Sequence, residues 1–283
     1  MRFEVLKYLT LDERLLNKLE SLDSKSLNTA TRLGKMLAKD KTISAKHSKL
    51  IKLAAALKGA EETLLNYENK GISEEIFAAT IDDIRIWCEN CNNVGLNNIE
   101  WIKNHIAFKL FKIGRLQYQF FTYDNPQSDN LRLPFSDGEK LVFIHIPQGE
   151  KLTQKDCVQS IKSATEFFNC HFPEYKYEYY FCESWLLYEN NVLFMNGQSN
   201  IVKFMNLFNI HYSVNDESQA LERIFGADKA RITAICGKST DIRTDAIQQL
   251  PELTSLQKSA KKYLLDGNKL GFGVGTIPNR ENN

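Results

Sequence analysis

Two side chains on neighbouring predicted strands could accept a proton in a reaction. Glu183 lies in residues 177–188, whose alternation predicts a strand that places Glu183 among aromatic side chains on one face. Aromatic neighbours exclude water from a carboxyl group, which raises its pKa and suits a general base near neutral pH. His145 lies in the apolar run at 141–146, and its imidazole could take a proton from an amine or a hydroxyl. The structural alternatives are a surface glutamate paired with a lysine and a hydrogen-bonded core histidine.

The loop after the predicted strand at 140–147 is a candidate anion site. A helix begins near Thr153, and Thr153 and Asp156 have the spacing of a capping box. A strand that leads into a helix N-terminus points backbone N–H groups into the connecting loop, where a phosphate or pyrophosphate could bind. Gly149 lets the backbone approach such a ligand closely, whereas Glu150 would repel an anion.

Two regions that differ in composition and periodicity would position these residues. From residue 11 to residue 109 nearly every segment has helical periodicity, and the last of the predicted helices starts near Asn98 and carries Leu110. After Lys109, aromatic and β-branched residues increase, and strands are predicted at 116–123, 140–147, 177–188, 231–235 and 269–277. Helices are predicted to begin near residues 153, 199, 217 and 254. The fold class is therefore α+β or α/β, with a helical N-terminal domain at 1–110 and a mixed β-sheet domain with flanking helices at 111–283.

Length and composition are those of an ordinary soluble globular protein. The 283 residues are 43% hydrophobic and 25% charged, and they are enough for two hydrophobic cores. A net charge of +1 gives no global field that favours nucleic acid or a membrane. The six cysteines are scattered, and the N-terminus lacks the apolar segment of a signal peptide. These features predict a cytoplasmic protein with reduced thiols.

Charge is segregated within the helical region, which raises the question of nucleic-acid binding. Residues 25–58 contain many cations and only one anion, Asp40, whereas residues 61–100 are mostly acidic around Asp82 and Asp83. The basic stretch has no aromatic residue on which a base could stack. The pattern therefore favours solvated helix faces, and no nucleic-acid partner is favoured.

Three other motifs give no chemistry from their spacing. In GFGVG, the glycines at 271, 273 and 275 are two residues apart and no helix follows, so a dinucleotide site is not indicated. Their bare strand face would instead admit a close neighbour, preferably another backbone segment. Cys88 and Cys91 lack further ligands at suitable spacing for zinc, so buried thiols and no metal are predicted. Ser184 has no nucleophile-elbow context.

Five stretches of the second half follow one another in an order typical of a known family: FIHIPQGEKLT, SATEFF, FPEYKYEYYFCESWLLY, SNIVKFMNLF and LPELTSLQKSAKKYLLDGNKLGFGVG. Together with the helical first region, they resemble a bacterial family of acyltransferases that pair a helical N-terminal domain with a GNAT-like C-terminal domain. The resemblance spans nearly the whole chain. It implies that the domain at 111–283 is a GNAT-like acyltransferase domain.

The resemblance also implies where a cosubstrate would bind. In GNAT-type enzymes acyl-CoA lies where a central strand splays from its neighbour, and its pyrophosphate rests on the loop that follows. Mapped onto this chain, the strand is 140–147, the loop is 148–153, and the strand across the split is 177–188. Acetyl-CoA or another acyl-CoA would then contact the following residues: Ile146, Gln148, Gly149, Lys151, Leu152 and Thr153. GNAT enzymes usually carry Gln/Arg-x-x-Gly-x-Gly/Ala in this loop, whereas this chain reads Gln-Gly-Glu-Lys-Leu-Thr, without the two later glycines.

The leading hypothesis is transfer of an acyl group from acyl-CoA to a small amine or hydroxyl acceptor by direct attack. Glu183 or His145 would be the base, and backbone N–H groups near Ile146 would polarise the thioester carbonyl. The alternative is a non-catalytic GNAT-like module that binds a metabolite or a protein. For that alternative, replacement of Glu183 or His145 should leave function intact.

Overall fold

The computed structural model describes residues 3–124, 133–237 and 239–279 of the chain. The first helices are α1 (Glu13–Glu20), α2 (Ser24–Ala38), α3 (Lys49–Asn69), α4 (Glu74–Ile81), α5 (Asp83–Glu89) and α6 (Ile99–Ile106). The strands are β1 (Leu110–Ile113), β2 (Leu116–Thr122), β3 (Lys140–His145), β4 (Tyr179–Ser184), β5 (Asn209–Val214) and β6 (Phe272–Pro278). The remaining helices are α7 (Gln154–His171), α8 (Asn200–Met205), α9 (Ser218–Phe225), α10 (Lys229–Cys236), α11 (Thr240–Gln248) and α12 (Ser255–Leu265).

The six strands form one mixed sheet in the order β1-β2-β3-β4-β6-β5. Strands β3 and β4 are parallel and pair Val142 with Tyr180 and Phe143 with Phe181. The pairs β1–β2, β4–β6 and β5–β6 are antiparallel. A helical first region followed by a mixed sheet with flanking helices confirms the predicted fold class.

By contacts, the chain divides into two compact units. The first contains the described residues up to Phe120 together with Ile144–Glu150 and Gln159–Lys176. The second contains Phe121–Phe143, Lys151–Val158 and the described residues from Tyr177 onward. The domain boundary near residue 110 stays a prediction. No helix within the described residues is long and apolar enough to cross a membrane.

Local sequence signals account for several helix ends. Ser48 accepts a hydrogen bond from the backbone N–H of Ile51 at the start of α3. Thr254 and Gln257 form the predicted capping box at α12. Gly226 ends α9 in the left-handed conformation, with φ of 65°, as glycine does at that position.

Three predictions of secondary structure were wrong. Leu110 lies in strand β1, which pairs with β2, and not in the last helix of the first region. Residues 231–235 lie in helix α10, because Asp228 accepts a hydrogen bond from the backbone N–H of Arg231 and starts a helix there. The strand predicted at 177–188 covers only Tyr179–Ser184, and a 3-10 helix follows at Trp185–Leu187.

Glycines in β6 and just before it explain why β4 ends early. A Cβ atom at Gly273 would lie 2.1 Å from the carbonyl oxygen of Leu187, and one at Gly271 would lie 2.6 Å from the Tyr188 ring. The backbone that follows β4 therefore folds back onto the bare face of β6. The structure confirms the expectation that another backbone segment covers this face.

Candidate functional site

His145 is the last residue of β3, and its ring is held by two neighbours from the first unit. Its Nε2 lies 2.8 Å from Oε1 of Gln119, a contact in which the imidazole N–H donates. The Trp101 ring meets the His145 ring edge to face, with 4.9 Å between centroids. With the proton on Nε2, the lone pair of the neutral ring is on Nδ1.

Behind His145 lies a buried polar cluster built around Asp83. One carboxylate oxygen, Oδ2, accepts hydrogen bonds from the indole N–H groups of Trp101 at 2.6 Å and Trp87 at 3.2 Å. The other, Oδ1, accepts from the side-chain amide of Gln117 at 3.1 Å, and Nε2 of His105 lies 3.3 Å from Oδ2. Asp83 is 4% exposed, so its predicted place on a solvated acidic face was wrong. A buried carboxylate requires such a set of donors.

Burial and the groups of this cluster shift the pKa values of Asp83 and His145. Burial alone would raise the pKa of Asp83, but His105 and the hydrogen bonds from Trp101 and Gln117 outweigh it and lower the pKa to about 2. Burial, reinforced by the charge of His105, lowers the pKa of His145 to about 3. His145 is therefore a neutral imidazole at physiological pH.

The first half of the candidate anion loop is fixed by side chains of the first unit. Arg115, in the β1–β2 turn, donates through Nη2 to the carbonyl oxygen of Glu150 at 2.9 Å. The Lys112 ammonium of β1 forms an ion pair with the Glu150 carboxylate. Asn90, just after α5, donates to the side-chain oxygen of Gln148 at 3.3 Å. Gly149 has φ of 95°, a conformation that favours glycine.

The second half of the loop leads into α7. The backbone N–H of Asp156 donates to the hydroxyl of Thr153 at 3.2 Å, and that hydroxyl in turn donates to the Asp156 carboxylate at 2.5 Å. Helix α7 therefore begins with the side-chain cap that the spacing predicts. Ile146 and Leu152 are half-buried, whereas Lys151 is exposed.

Glu183 lies on β4 in the second unit, opposite Val274 of β6. Its strand neighbour Phe181 belongs to an aromatic cluster, stacked on Phe121 with 5.4 Å between ring centroids. The Glu183 side chain is exposed, yet surrounding protein removes enough water to raise its pKa above the ordinary value. Of the side chains expected on the same face as Glu183, Tyr179 and Phe181 lie on β4, whereas Trp185 and Leu187 belong to the 3-10 helix.

One tyrosine of the second unit, Tyr212, interacts electrostatically with Glu183. Tyr212 of β5 also pairs with Val274, so it lies on the far side of β6 from Glu183. Burial, together with Tyr123 and the Glu183 charge, raises the pKa of Tyr212 to about 12. The Tyr212 phenol therefore keeps its proton at neutral pH and can donate a hydrogen bond.

The structure thus places the two candidate bases in different compact units, each with its own neighbours. Sequence reasoning missed the polar cluster of the first unit and the cations at the loop, Lys112 and Arg115. Their partners are far away in sequence, so spacing carried no signal. The one available clue was the charged pair Lys112 and Arg115 on either side of Ile113-Gly114, a turn between two apolar segments.

Two protein-family models match the chain. Residues 2–108 match the N-acyltransferase N-terminal domain, and residues 110–277 match the GNAT-like C-terminal domain, which is more than half of the chain. The chain belongs to this acyltransferase family. The resemblance seen in the sequence is confirmed, and with it the combination of an N-terminal domain and a GNAT-like C-terminal domain.

Solved structures of acyltransferases share the fold. One, in complex with decanoyl-CoA and teicoplanin, is 18% identical and superposes with a TM-score of 0.74, covering 97% of this chain and 86% of that chain. Another, in complex with decanoyl-CoA, is 17% identical with a TM-score of 0.75 and the same coverage. A mutant acyltransferase in complex with octanoyl-CoA is 18% identical with a TM-score of 0.74, again with that coverage. No curated protein sequence matches the chain.

Proposed function

We propose that this protein transfers an acyl group from acyl-CoA to a small amine or hydroxyl acceptor by direct attack. The observation that carries the proposal is the family match, which extends over both domains. Solved acyltransferases of the same fold hold decanoyl-CoA or octanoyl-CoA. We therefore extend the cosubstrate class to medium-chain acyl-CoA as well as acetyl-CoA.

The residues of the loop suit a coenzyme A ligand. Gly149 supplies a left-handed turn, and a Cβ atom built there would meet open space, so the backbone can approach a ligand. The residues that we propose contact the coenzyme are Ile146, Gln148, Gly149, Lys151, Leu152 and Thr153. The bound coenzyme supplies the thioester carbonyl, and the backbone N–H near Ile146 would stabilise the negative charge that develops on its oxygen.

Of the two candidate bases, Glu183 is favoured over His145. A general base works best when its pKa lies near the working pH. Desolvation moves the pKa of Glu183 upward, toward neutral pH, whereas it moves the pKa of His145 down to about 3. In this proposal Glu183 accepts the proton of the acceptor, and neutral His145 packs against Trp101 of the polar cluster.

The proposed acyl acceptor is a small molecule. One acyltransferase of the same fold is solved with teicoplanin. For this chain we propose a small amine or hydroxyl compound, since the carboxylate of Glu183 can remove a proton from either group.

Binding and turnover should be measured separately. Isothermal titration with acetyl-, octanoyl- and decanoyl-CoA tests the cosubstrate, and thiol release in the presence of an acceptor panel tests the reaction. Glu183→Gln keeps the shape of the side chain and should lower kcat about 100-fold or more while coenzyme binding is unchanged. His145→Ala tests the other candidate base in the same assay.

Two outcomes would contradict the proposal. No heat with any acyl-CoA at millimolar concentration would exclude the cosubstrate. Binding of acyl-CoA with no turnover over the whole acceptor panel would favour the non-catalytic binding module.

A further inference from the structure

The loop after β3 is held at Glu150 by two charged side chains. Arg115 is 6% exposed, and its guanidinium binds the backbone carbonyl of Glu150 from the β1–β2 turn. Lys112, whose side chain is 17% exposed, binds the Glu150 carboxylate. Two cations of the antiparallel β1–β2 hairpin therefore contact this part of the loop.

The two partners of the Lys112–Glu150 ion pair differ in freedom. The Glu150 side chain is about half exposed, at 51%, and follows Gly149 in an open loop, whereas Lys112 is anchored in β1. A partly exposed ion pair contributes on the order of 1 kcal/mol or less, so a stronger anion can displace its carboxylate at small cost. A phosphate group carries more negative charge and more acceptor oxygens than a carboxylate.

We propose that Lys112 and Arg115 bind a phosphate group of acyl-CoA beside Gly149, and that Glu150 is the internal anion which this phosphate replaces. This inference rests on the proposed function, because it assigns further binding residues to the same cosubstrate. It also accounts for Glu150, whose carboxylate would otherwise repel an anionic ligand from this loop. Lys112 cancels its charge in the structure, and on binding the Glu150 carboxylate turns to water.

Three variants separate a phosphate site from a structural ion pair. Lys112→Met should weaken CoA binding by about fivefold or more, because a cation at the phosphate is lost. Glu150→Gln should tighten CoA binding by up to about fivefold, because the competing anion is lost. Lys109→Met is the matched control: Lys109 precedes β1, is 43% exposed and pairs with Asp40, so its loss should leave CoA binding unchanged.

Isothermal titration with CoA, dephospho-CoA and inorganic pyrophosphate is the measurement, with circular dichroism as a check that each variant is folded. An equal effect of Lys112→Met on CoA and dephospho-CoA supports a pyrophosphate at this place, and an effect on CoA alone supports the 3′-phosphate. Equal weakening by Lys112→Met and Glu150→Gln would overturn the inference, since the pair would then only order the loop. Unchanged binding in Lys112→Met would overturn it as well.

Failure of the proposed function has a different signature. In that case the wild-type protein itself binds no CoA. Wild-type binding without the opposite responses of Lys112→Met and Glu150→Gln contradicts only the phosphate assignment.

Discussion

Replacement of Asp83 by asparagine tests how the buried polar cluster of the first unit is held together. The carboxylate receives two indole N–H groups and one amide N–H group, and His105 lies beside it. An asparagine keeps the size but loses the charge, and its NH2 group would face donors. Hydrogen bonds to a buried charged group contribute about 1.5 to 3 kcal/mol each, so Asp83→Asn should lower the free energy of unfolding by about 3 kcal/mol or more at pH 7.

The pKa of Asp83 gives the pH dependence of this effect. The pKa of Asp83 is about 2 in the folded protein and 3.8 ordinarily, and this difference corresponds to roughly 2 kcal/mol of stability. Because the folded pKa is the lower one, the ionised carboxylate stabilises the folded state above pH 3.8, and this contribution is lost as the pH falls toward 2. About half of it, on the order of 1 kcal/mol, should be gone at pH 3.

The assay is urea unfolding at pH 7, 5 and 3, followed by tryptophan fluorescence. Trp87 and Trp101 donate to Asp83, so two of the three tryptophans report on the cluster. Asp82→Asn is the matched control, because Asp82 is one residue away, partly exposed and paired with Arg85. The control should change the free energy of unfolding by less than about 1 kcal/mol. The argument is refuted if the difference in the free energy of unfolding between wild type and Asp83→Asn does not become smaller from pH 7 to pH 3.

Two further predictions concern other parts of the chain. Gly273→Ala should lower the midpoint of thermal unfolding strongly, since its Cβ would lie 2.1 Å from a backbone oxygen. Gly197→Ala is the control and should have little effect, because a Cβ there would meet nothing within 4 Å. Equal midpoints for the two variants would contradict the backbone contact at Gly273. The His145 ring should show no titration between pH 5 and pH 8 in NMR spectra of histidine-labelled protein, with its proton on Nε2, because burial and the charge of His105 lower its pKa to about 3. A midpoint for His145 inside that range would show that its ring is not desolvated as the structure has it.

Local rules in the sequence determined the long helices and the capped ends. The stripe of leucines in α3, the cap at Thr254 and the glycine after α9 act within a few residues, so they can be read without the fold. The same holds for β3, whose apolar run is bounded by turn residues. The short strands β1 and β5 were not predicted, because four to six residues carry too little periodicity to exclude a helix or a loop.

Only the tertiary structure decided the environment of the candidate residues. The side chains that hold Asp83 come from α5, α6 and β2, up to 34 residues away, and they turn an apparent surface carboxylate into a buried one. Lys112 and Glu150 are 38 residues apart, so the neutralisation of the loop glutamate has no signature in local spacing. The sequence therefore determined which residues could do chemistry, whereas packing decided their protonation, because the pKa of a group depends on its burial and on charges brought to it by the fold.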